Sequence, residues 1–246
     1  MQTIPFPKLA LAFIPVAVVL IILWKWRLDY KNSIYAVFRM LIQLLLIGYF
    51  LTYIFETDNA WVVVAVLTVM LFSSSWIALR TLNIPRRKLY LKSFLSILLG
   101  GGVILIIMTQ WVLNLQPRYL PSTVIPLAGM IFAGAMNSIS LAGERLWAEI
   151  DRDVPYERSR AIALQASLIP ITNTLFAVGL VSLPGMMTGQ ILSGVSPIIA
   201  VRYQIMVMCM IFGSAGVSSA IFLALVKPDV DIHDSYEPIG ITMNST

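Results

Sequence analysis

Eight residues carry most of the chemistry available inside this apolar chain: Asn137, Ser138, Asn173, Thr174, Met186, Met187, Thr188 and Gln190. Amides and hydroxyls at membrane depth can line a path for a solute, because each offers a lone pair or a hydrogen where lipid offers neither. Plainer uses compete with that one. Asn173 and Thr174 follow Pro170, whose missing N–H frees a backbone carbonyl that a nearby hydroxyl or amide can satisfy, so kink repair and ligand contact are equally good readings. Thr188 and Gln190 stand beside Pro184-Gly185, a helix-breaking pair that serves as a candidate hinge or cavity lining together with Pro170. They are the better candidates for a lined cavity.

Sulfur crowds the same region, at Met186, Met187, Met206, Met208 and Met210. Thioethers suit soft metals such as Cu(I), yet methionine also fills irregular apolar gaps; without clustered Cys and His, packing is the preferred reading and no metal ligand is assigned. Cys209, the one cysteine, reads as a buried structural thiol. No paired acids, Ser-His arrangement, Gly-x-x-x-x-Gly-Lys-Ser/Thr loop, His-Glu-x-x-His or Gly-x-Ser-x-Gly motif occurs, which argues against an enzyme and against a P-loop nucleotide site. The chain is expected to bind no cofactor itself. If it moves a solute actively, ATP must be hydrolysed on another subunit.

The elements that must hold these residues follow from length and charge. Hydrophobic residues make up 59% of the 246 positions and charged residues 12%, about half the charge of a soluble domain. The mean hydropathy is +0.85. Membrane spans and short loops use nearly all of that length, so positions 1–246 read as a single transmembrane domain. Charge-free runs place helices near 9–24, 38–55, 60–79, 93–115, 121–143, 162–182 and 203–226, each about long enough to cross a 30 Å hydrocarbon core. The expected fold is therefore an all-α polytopic bundle of about seven spans.

Basic residues cluster in alternate connections: Lys25, Arg27, Lys31 and Arg39; Arg80, Arg86, Arg87, Lys88 and Lys92; Arg145, Arg152, Arg158 and Arg160. By the positive-inside rule these lie in the cytoplasm, which puts the N-terminus outside and the C-terminus inside. Arg39, one turn before Gln43, is explained by snorkelling to the interface. The first apolar run lacks a small-residue cleavage site after it and reads as a retained helix. Between Arg160 and Arg202 roughly forty residues carry no ionisable side chain, too many for one crossing. A broken or re-entrant element after helix six accounts for the surplus; an eighth span over 184–201 is the alternative.

Runs of small residues, such as Gly100-Gly101-Gly102 and Gly213 to Ala220, permit close helix approach and leave a surface that could serve a homodimer. The segment from Glu144 to Asp153 mixes charge signs at helical spacing, with Arg145 and Glu149 as an i,i+4 pair and Asp153 four residues beyond Glu149 on one face. Either it is a solvated extension of helix five, or it docks a cytoplasmic partner.

Several strings resemble a known family. Pro126-Leu127-Ala128-Gly129-Met130, Ala135-Met136-Asn137-Ser138, Gly179-Leu180-Val181-Ser182-Leu183-Pro184-Gly185-Met186-Met187-Thr188-Gly189, Ser196-Pro197 and Tyr203-Gln204-Ile205-Met206-Val207-Met208 are similar to the FetB-type ABC transporter permeases, to which plant aluminium-sensitivity membrane proteins belong. The similarity extends over nearly the whole chain. It implies a multi-pass permease of the inner membrane, dimeric, paired with an ATP-binding subunit and associated with iron export and resistance to oxidative stress. Nucleic acid is not an expected partner. On that reading Glu144, Arg145, Glu149 and Arg152 meet the ATPase, while the eight residues named first line the substrate path. A passive channel or a non-transporting membrane adaptor is the competing class. The family pattern also places an Ala-Leu-Ala-Leu-Gly-Ala-Thr string before helix six, which this chain lacks: Asp153 to Arg160 leads almost directly into the helix. The resemblance then implies either a shortened docking surface or altered coupling.

Overall fold

The computed structural model describes residues 5–56, 59–82 and 86–236. Contacts group the chain into two units that divide between Thr57 and Asp58. The first contains α1 (Phe6–Leu11), α2 (Ile14–Lys25) and α3 (Tyr30–Glu56). Pro15 sits in the first turn of α2, where its missing N–H costs nothing. The helix ends at Arg27 in a left-handed conformation (φ +57°), and the Leu28 N–H returns to the Leu23 carbonyl at 2.9 Å. The Asp29 carboxylate then accepts from the Asn32 N–H at 3.1 Å and caps α3.

The second unit holds the remaining elements: α4 (Ala60–Ala78), α5 (Arg86–Ile97), α6 (Val103–Ile106), α7 (Pro121–Ile150), α8 (Tyr156–Ala177), α9 (Gly185–Leu192) and α10 (Pro197–Tyr236). Two π-helical turns, Leu98–Gly102 and Ile107–Val112, flank α6 and join it to α5 in one rod. No strand occurs among the described residues. Helix α7 is central and packs on α10, α8 and α4. Leu127, Ile131, Ala135, Ile139, Ala142 and Leu146 form its buried seam, at the three- and four-residue spacing that keeps one helical face turned inward. Helix α10 answers with Val207, Met210, Phe222, Leu223 and Val226, all fully enclosed.

Small residues let these helices touch. A Cβ on Gly100 would lie 2.7 Å from the backbone nitrogen of Ser218, so the first π turn and α10 meet main chain to main chain. Hydroxyls add cross-links. Ser219 donates to Ser138 at 2.8 Å, Ser138 donates to the Ser167 carbonyl at 3.3 Å, and α10, α7 and α8 are thereby tied together. The Tyr156 hydroxyl donates to the Leu223 carbonyl and pins the start of α8 to α10. Hydrogen bonds between membrane helices contribute about 0.6 kcal/mol on average and up to about 1.7. Ser219→Ala, which removes the donor of the first link, is expected to lower the unfolding free energy in detergent by about 1 kcal/mol, read as a shifted denaturation midpoint.

Six helices are long and apolar enough to cross a membrane among the described residues: Pro7–Lys25, Tyr30–Leu51, Ala60–Ala78, Arg86–Val112, Pro121–Ile150 and Pro197–Pro228. The chain is thus an all-α polytopic membrane protein. The expected span missing from these six is the sixth, 162–182, which corresponds to α8; that helix is 22 residues long but is diluted by Gln165, Pro170, Asn173 and its threonines. Most helices also run beyond the bounds read from charge: α3 begins at Tyr30 and α7 continues to Ile150. Charged residues mark where lipid ends, but the backbone hydrogen bonds of a helix persist into water. The stretch 184–201 is no single helix. Ser193 to Ser196 interrupt it, and α9, at about 1.5 Å per residue, is about 12 Å long and cannot cross.

Candidate functional site

The interruption between α8 and α10 is built from backbone chemistry first. Helix α8 ends at Ala177, whose carbonyl accepts the N–H groups of Leu180, Val181 and Ser182 at 2.8–3.2 Å. Gly179 stands inside this knot with φ +84°, and its N–H donates to the Ser182 carbonyl at 2.9 Å. Pro184 then occupies the N-cap of α9 in an extended conformation. At the far end Gly194 takes φ +92° and the Val195 N–H reaches the Gln190 carbonyl at 3.0 Å. Left-handed backbone is readily open only to glycine. The conformational demand for glycine therefore falls on Gly179 and Gly194, which bracket α9. Gly185, the expected hinge partner of Pro184, has no positive φ, and a Cβ there would meet nothing within 4 Å. The signal for Gly179 was present in the sequence, as a glycine just past the end of a helical pattern.

Of the expected path residues, those on α9 lie together and the others are distributed over α7 and α8. Met186, Met187, Thr188 and Gln190 are half-buried on α9, and Met186 packs against the core. The Thr188 hydroxyl donates to the Pro184 carbonyl at 3.1 Å, so it is already engaged in its own helix. Gln190 differs: its Oε1 is buried and has no hydrogen-bond partner. Asn137 is exposed on α7, whereas its neighbour Ser138 is buried in the serine network. Asn173 and Thr174 are exposed on α8. The Thr174 hydroxyl donates to the Pro170 carbonyl at 2.9 Å, four residues back, and not to the carbonyl of Ala166 that the proline leaves without its usual donor. The structure therefore uses Thr174 in local back-bonding rather than in repair of the kink.

A cavity of about 380 Å³ opens where the α8–α9 connection, α9 and α10 meet. Its wall is almost wholly apolar and includes Leu175, Leu183, Met187, Met208 and Cys209. Cys209, expected to be buried, is exposed. It follows the stripe of α10 that faces this cavity, one residue beyond Met208, rather than the stripe of Val207 and Met210 that enters the core. Gln204 also lines the space. It is only 5% exposed, and neither its Oε1 nor its Nε2 has a hydrogen-bond partner. Charge-free composition hid it, because an amide in a run of methionines gives no periodic signal.

At the other end of α7, the Glu149 carboxylate is buried and held by Arg145 at 2.5 Å and Arg152 at 3.4 Å. The expected Arg145–Glu149 pair is present. Asp153 does not share a helical face with Glu149 as expected, because α7 ends at Ile150 and Asp153 turns away with φ +59°. Glu144, Arg152, Glu157, Arg158 and Arg160 are exposed around the five-residue connection Asp151–Pro155 and form a surface of mixed charge. No group of three or more His, Cys, Asp or Glu side chains placed to hold a metal ion occurs among the described residues.

The sequence profile of the uncharacterised protein family UPF0014 matches residues 6–230. A UPF0014 membrane protein of Synechocystis is 41% identical over 191 residues, 70% of this chain and 73% of the relative. The probable iron export permease protein FetB of Escherichia coli is 34% identical over 230 residues, 87% of each chain. The protein ALUMINUM SENSITIVE 3 of Arabidopsis thaliana is 33% identical over 229 residues, 86% of this chain and 82% of the relative. No solved structure matches the chain.

Proposed function

This chain belongs to the uncharacterised protein family UPF0014, and from that premise we propose that it is the permease subunit of an ABC transporter that exports iron or a related metal ion with ATP hydrolysed on a separate subunit. The observation that carries the reading is the likeness to a probable iron export permease over 87% of both chains. Local geometry fits a permease. A short half-helix held between two left-handed glycines is irregular backbone of the kind that membrane transporters place beside their substrate paths.

The path in this reading runs past Asn137, Asn173, Thr188 and Gln190, with the turns at Gly179 and Gly194 joining Pro170 and Pro184 as flexure points. Glu144 and the outer faces of Arg145 and Arg152 meet the ATPase, while buried Glu149 orients the two arginines. Two copies form the working unit of a single permease domain in the inner membrane, with the N-terminus outside. Phe176, Leu180 and Val181, each more than three-quarters exposed, supply an apolar patch for that association or for lipid.

Five residues between α7 and α8 leave little chain for a separate coupling helix, which favours a passive channel as the second reading. One experiment separates the two. The chain is co-expressed with the ATP-binding subunit encoded nearest to it, purified and placed in liposomes loaded with Fe(II). Stable co-purification and at least a tenfold rise in iron flux with ATP are expected. Equal flux with and without ATP supports the channel, and failure to recruit any ATPase removes the proposed coupling.

A further inference from the structure

The connection between α4 and α5 carries a run of positive charge with no acidic neighbour in sequence. No Asp or Glu occurs between Asp58 and Glu144, a stretch that includes Arg80, Arg86, Arg87, Lys88 and Lys92. The other basic connection of the same unit is internally balanced: Glu149 pairs with Arg145 and Arg152, and Glu157 pairs with Arg160 and Lys227. Arg80, Arg86, Arg87 and Lys88 enter no ion pair among the described residues, and Arg87 and Lys88 are exposed. Positive charge beside a span is ordinary on the cytoplasmic side. What stands next to this run is not. Phe72, Trp76 and Arg80 follow one another four residues apart at the end of α4, and Phe94, Tyr90 and Arg86 do so in reverse at the start of α5. The two rows touch. Phe72 and Phe94 have ring centres 5.0 Å apart, Trp76 and Tyr90 meet edge to face at 5.8 Å, and the Arg86 guanidinium lies 5.5 Å from the Trp76 ring centre. The Tyr90 hydroxyl donates to the Phe72 carbonyl at 3.3 Å and ties the rows together. Phe72 and Trp76 stay nearly half exposed, so the strip is open rather than packed into the core.

We propose that this strip binds an anionic phospholipid, with an acyl chain along Phe72, Trp76, Tyr90 and Phe94 and the phosphate held by Arg80, Arg86, Arg87 and Lys88. Depth matches the two halves. Arg80 and Arg86 stand at the ends of the adjacent spans Ala60–Ala78 and Arg86–Val112, where headgroups lie, and the aromatic rings sit one and two helical turns further in, beside hydrocarbon. Basic residues next to a span attract anionic headgroups. Arginine suits a phosphate in particular, because its planar fork donates two hydrogen bonds to two oxygens. The Trp76 face holds the Arg86 guanidinium without neutralising it, so that charge stays available to an anion. A free phosphate would use only the basic end; the aromatic rows are what select a lipid. The site does not depend on the transport reading and requires only that α4 and α5 cross a membrane.

The test is lipid binding to the full-length chain in detergent, counted by native mass spectrometry as dioleoyl phosphatidylglycerol or dioleoyl phosphatidylcholine is added. The first phosphatidylglycerol should bind about tenfold more tightly than phosphatidylcholine, or better. Arg80→Gln combined with Arg86→Gln should erase that preference, whereas Arg80→Lys combined with Arg86→Lys should keep most of it. Phe72→Ala should weaken both lipids alike. Arg158→Gln, at an exposed arginine of the other basic connection, should change nothing. A thermal midpoint taken in phosphatidylcholine identifies any variant that fails to fold, and Arg87→Gln combined with Lys88→Gln, both at exposed positions, then gives the same reading. Equal affinity of the parent chain for the two lipids overturns the proposal and leaves an acidic protein as the partner of the patch. Full displacement by inorganic phosphate overturns it in favour of a free-phosphate site. A preference that survives neutralisation of all four cations overturns it outright.

Discussion

Replacing Gly100 by alanine is expected to lower the unfolding midpoint of the detergent-solubilised protein by about 10 °C. The added Cβ would lie 2.7 Å from the Ser218 nitrogen and 2.8 Å from its Cα, distances that real Cβ atoms do not adopt. The obstacle is main chain, so no rotamer change relieves it, and the π turn and α10 must separate along their length. Overpacking typically costs about 1–3 kcal/mol, and a contact with rigid main chain falls at the upper end; each kcal/mol moves the midpoint by about 2–4 °C in a chain of this size. Loss of van der Waals contact is the relevant term, since membrane helices gain little from expelling lipid. Three comparisons make the expectation specific. Gly102→Ala, in the same π turn, meets only a Leu98 methyl at 3.7 Å and should be tolerated, and Gly48→Ala meets nothing within 4 Å. Ser218→Gly should fail to rescue Gly100→Ala, because the nitrogen and Cα remain. A midpoint for Gly100→Ala equal to that of Gly102→Ala would refute the backbone contact.

Gln190→Leu is expected to raise stability and to lower export at least tenfold. Its Oε1 is buried and lacks a hydrogen-bond partner, so an apolar side chain of similar size removes a desolvation cost of about 1 kcal/mol or more. If the same amide serves the substrate path, export should fall at least tenfold while the thermal midpoint rises by a few degrees. Thr188→Val is the informative companion. The Thr188 hydroxyl is already spent on the Pro184 carbonyl, so its loss should reduce export less than the Gln190 change does. Metal flux in loaded liposomes and a thermal scan on the same preparations check both halves. Unchanged export in Gln190→Leu, with stability raised, would leave Gln190 as a packing defect and take it off the path.

The two residues show how differently the sequence spoke about neighbours. Thr188 and Gln190 looked equivalent as neutral polar groups next to Pro184, and only the hydrogen bond of one and the isolation of the other separated them. Ser138 and Asn137 looked equivalent as well; a rotation of about 100° per residue around α7 buries the first among serines and leaves the second exposed. Proline marked the break correctly, but the left-handed backbone that calls for glycine fell at Gly179 and Gly194, several residues to either side. Glu149 was legible as one half of an i,i+4 pair with Arg145, because that pairing needs only helical spacing. Its burial was not legible, since it depends on which face of α7 meets its neighbours.

What the sequence determined by itself was the class of molecule. Hydrophobic length measured against bilayer thickness is a one-dimensional comparison, and it sufficed for an all-α polytopic protein with a surplus, broken element after the sixth expected helix. The strings around Pro184 sufficed for the family. Tertiary structure alone decided which side chains share a space: the contact of Gly100 with Ser218, the serine link across three helices, and the cavity that joins Met187 to Gln204, Met208 and Cys209. The reason is physical. Membrane helices associate through contact and hydrogen bonding across positions that can lie more than a hundred residues apart, as Gly100 and Ser218 do, and no local period records those meetings.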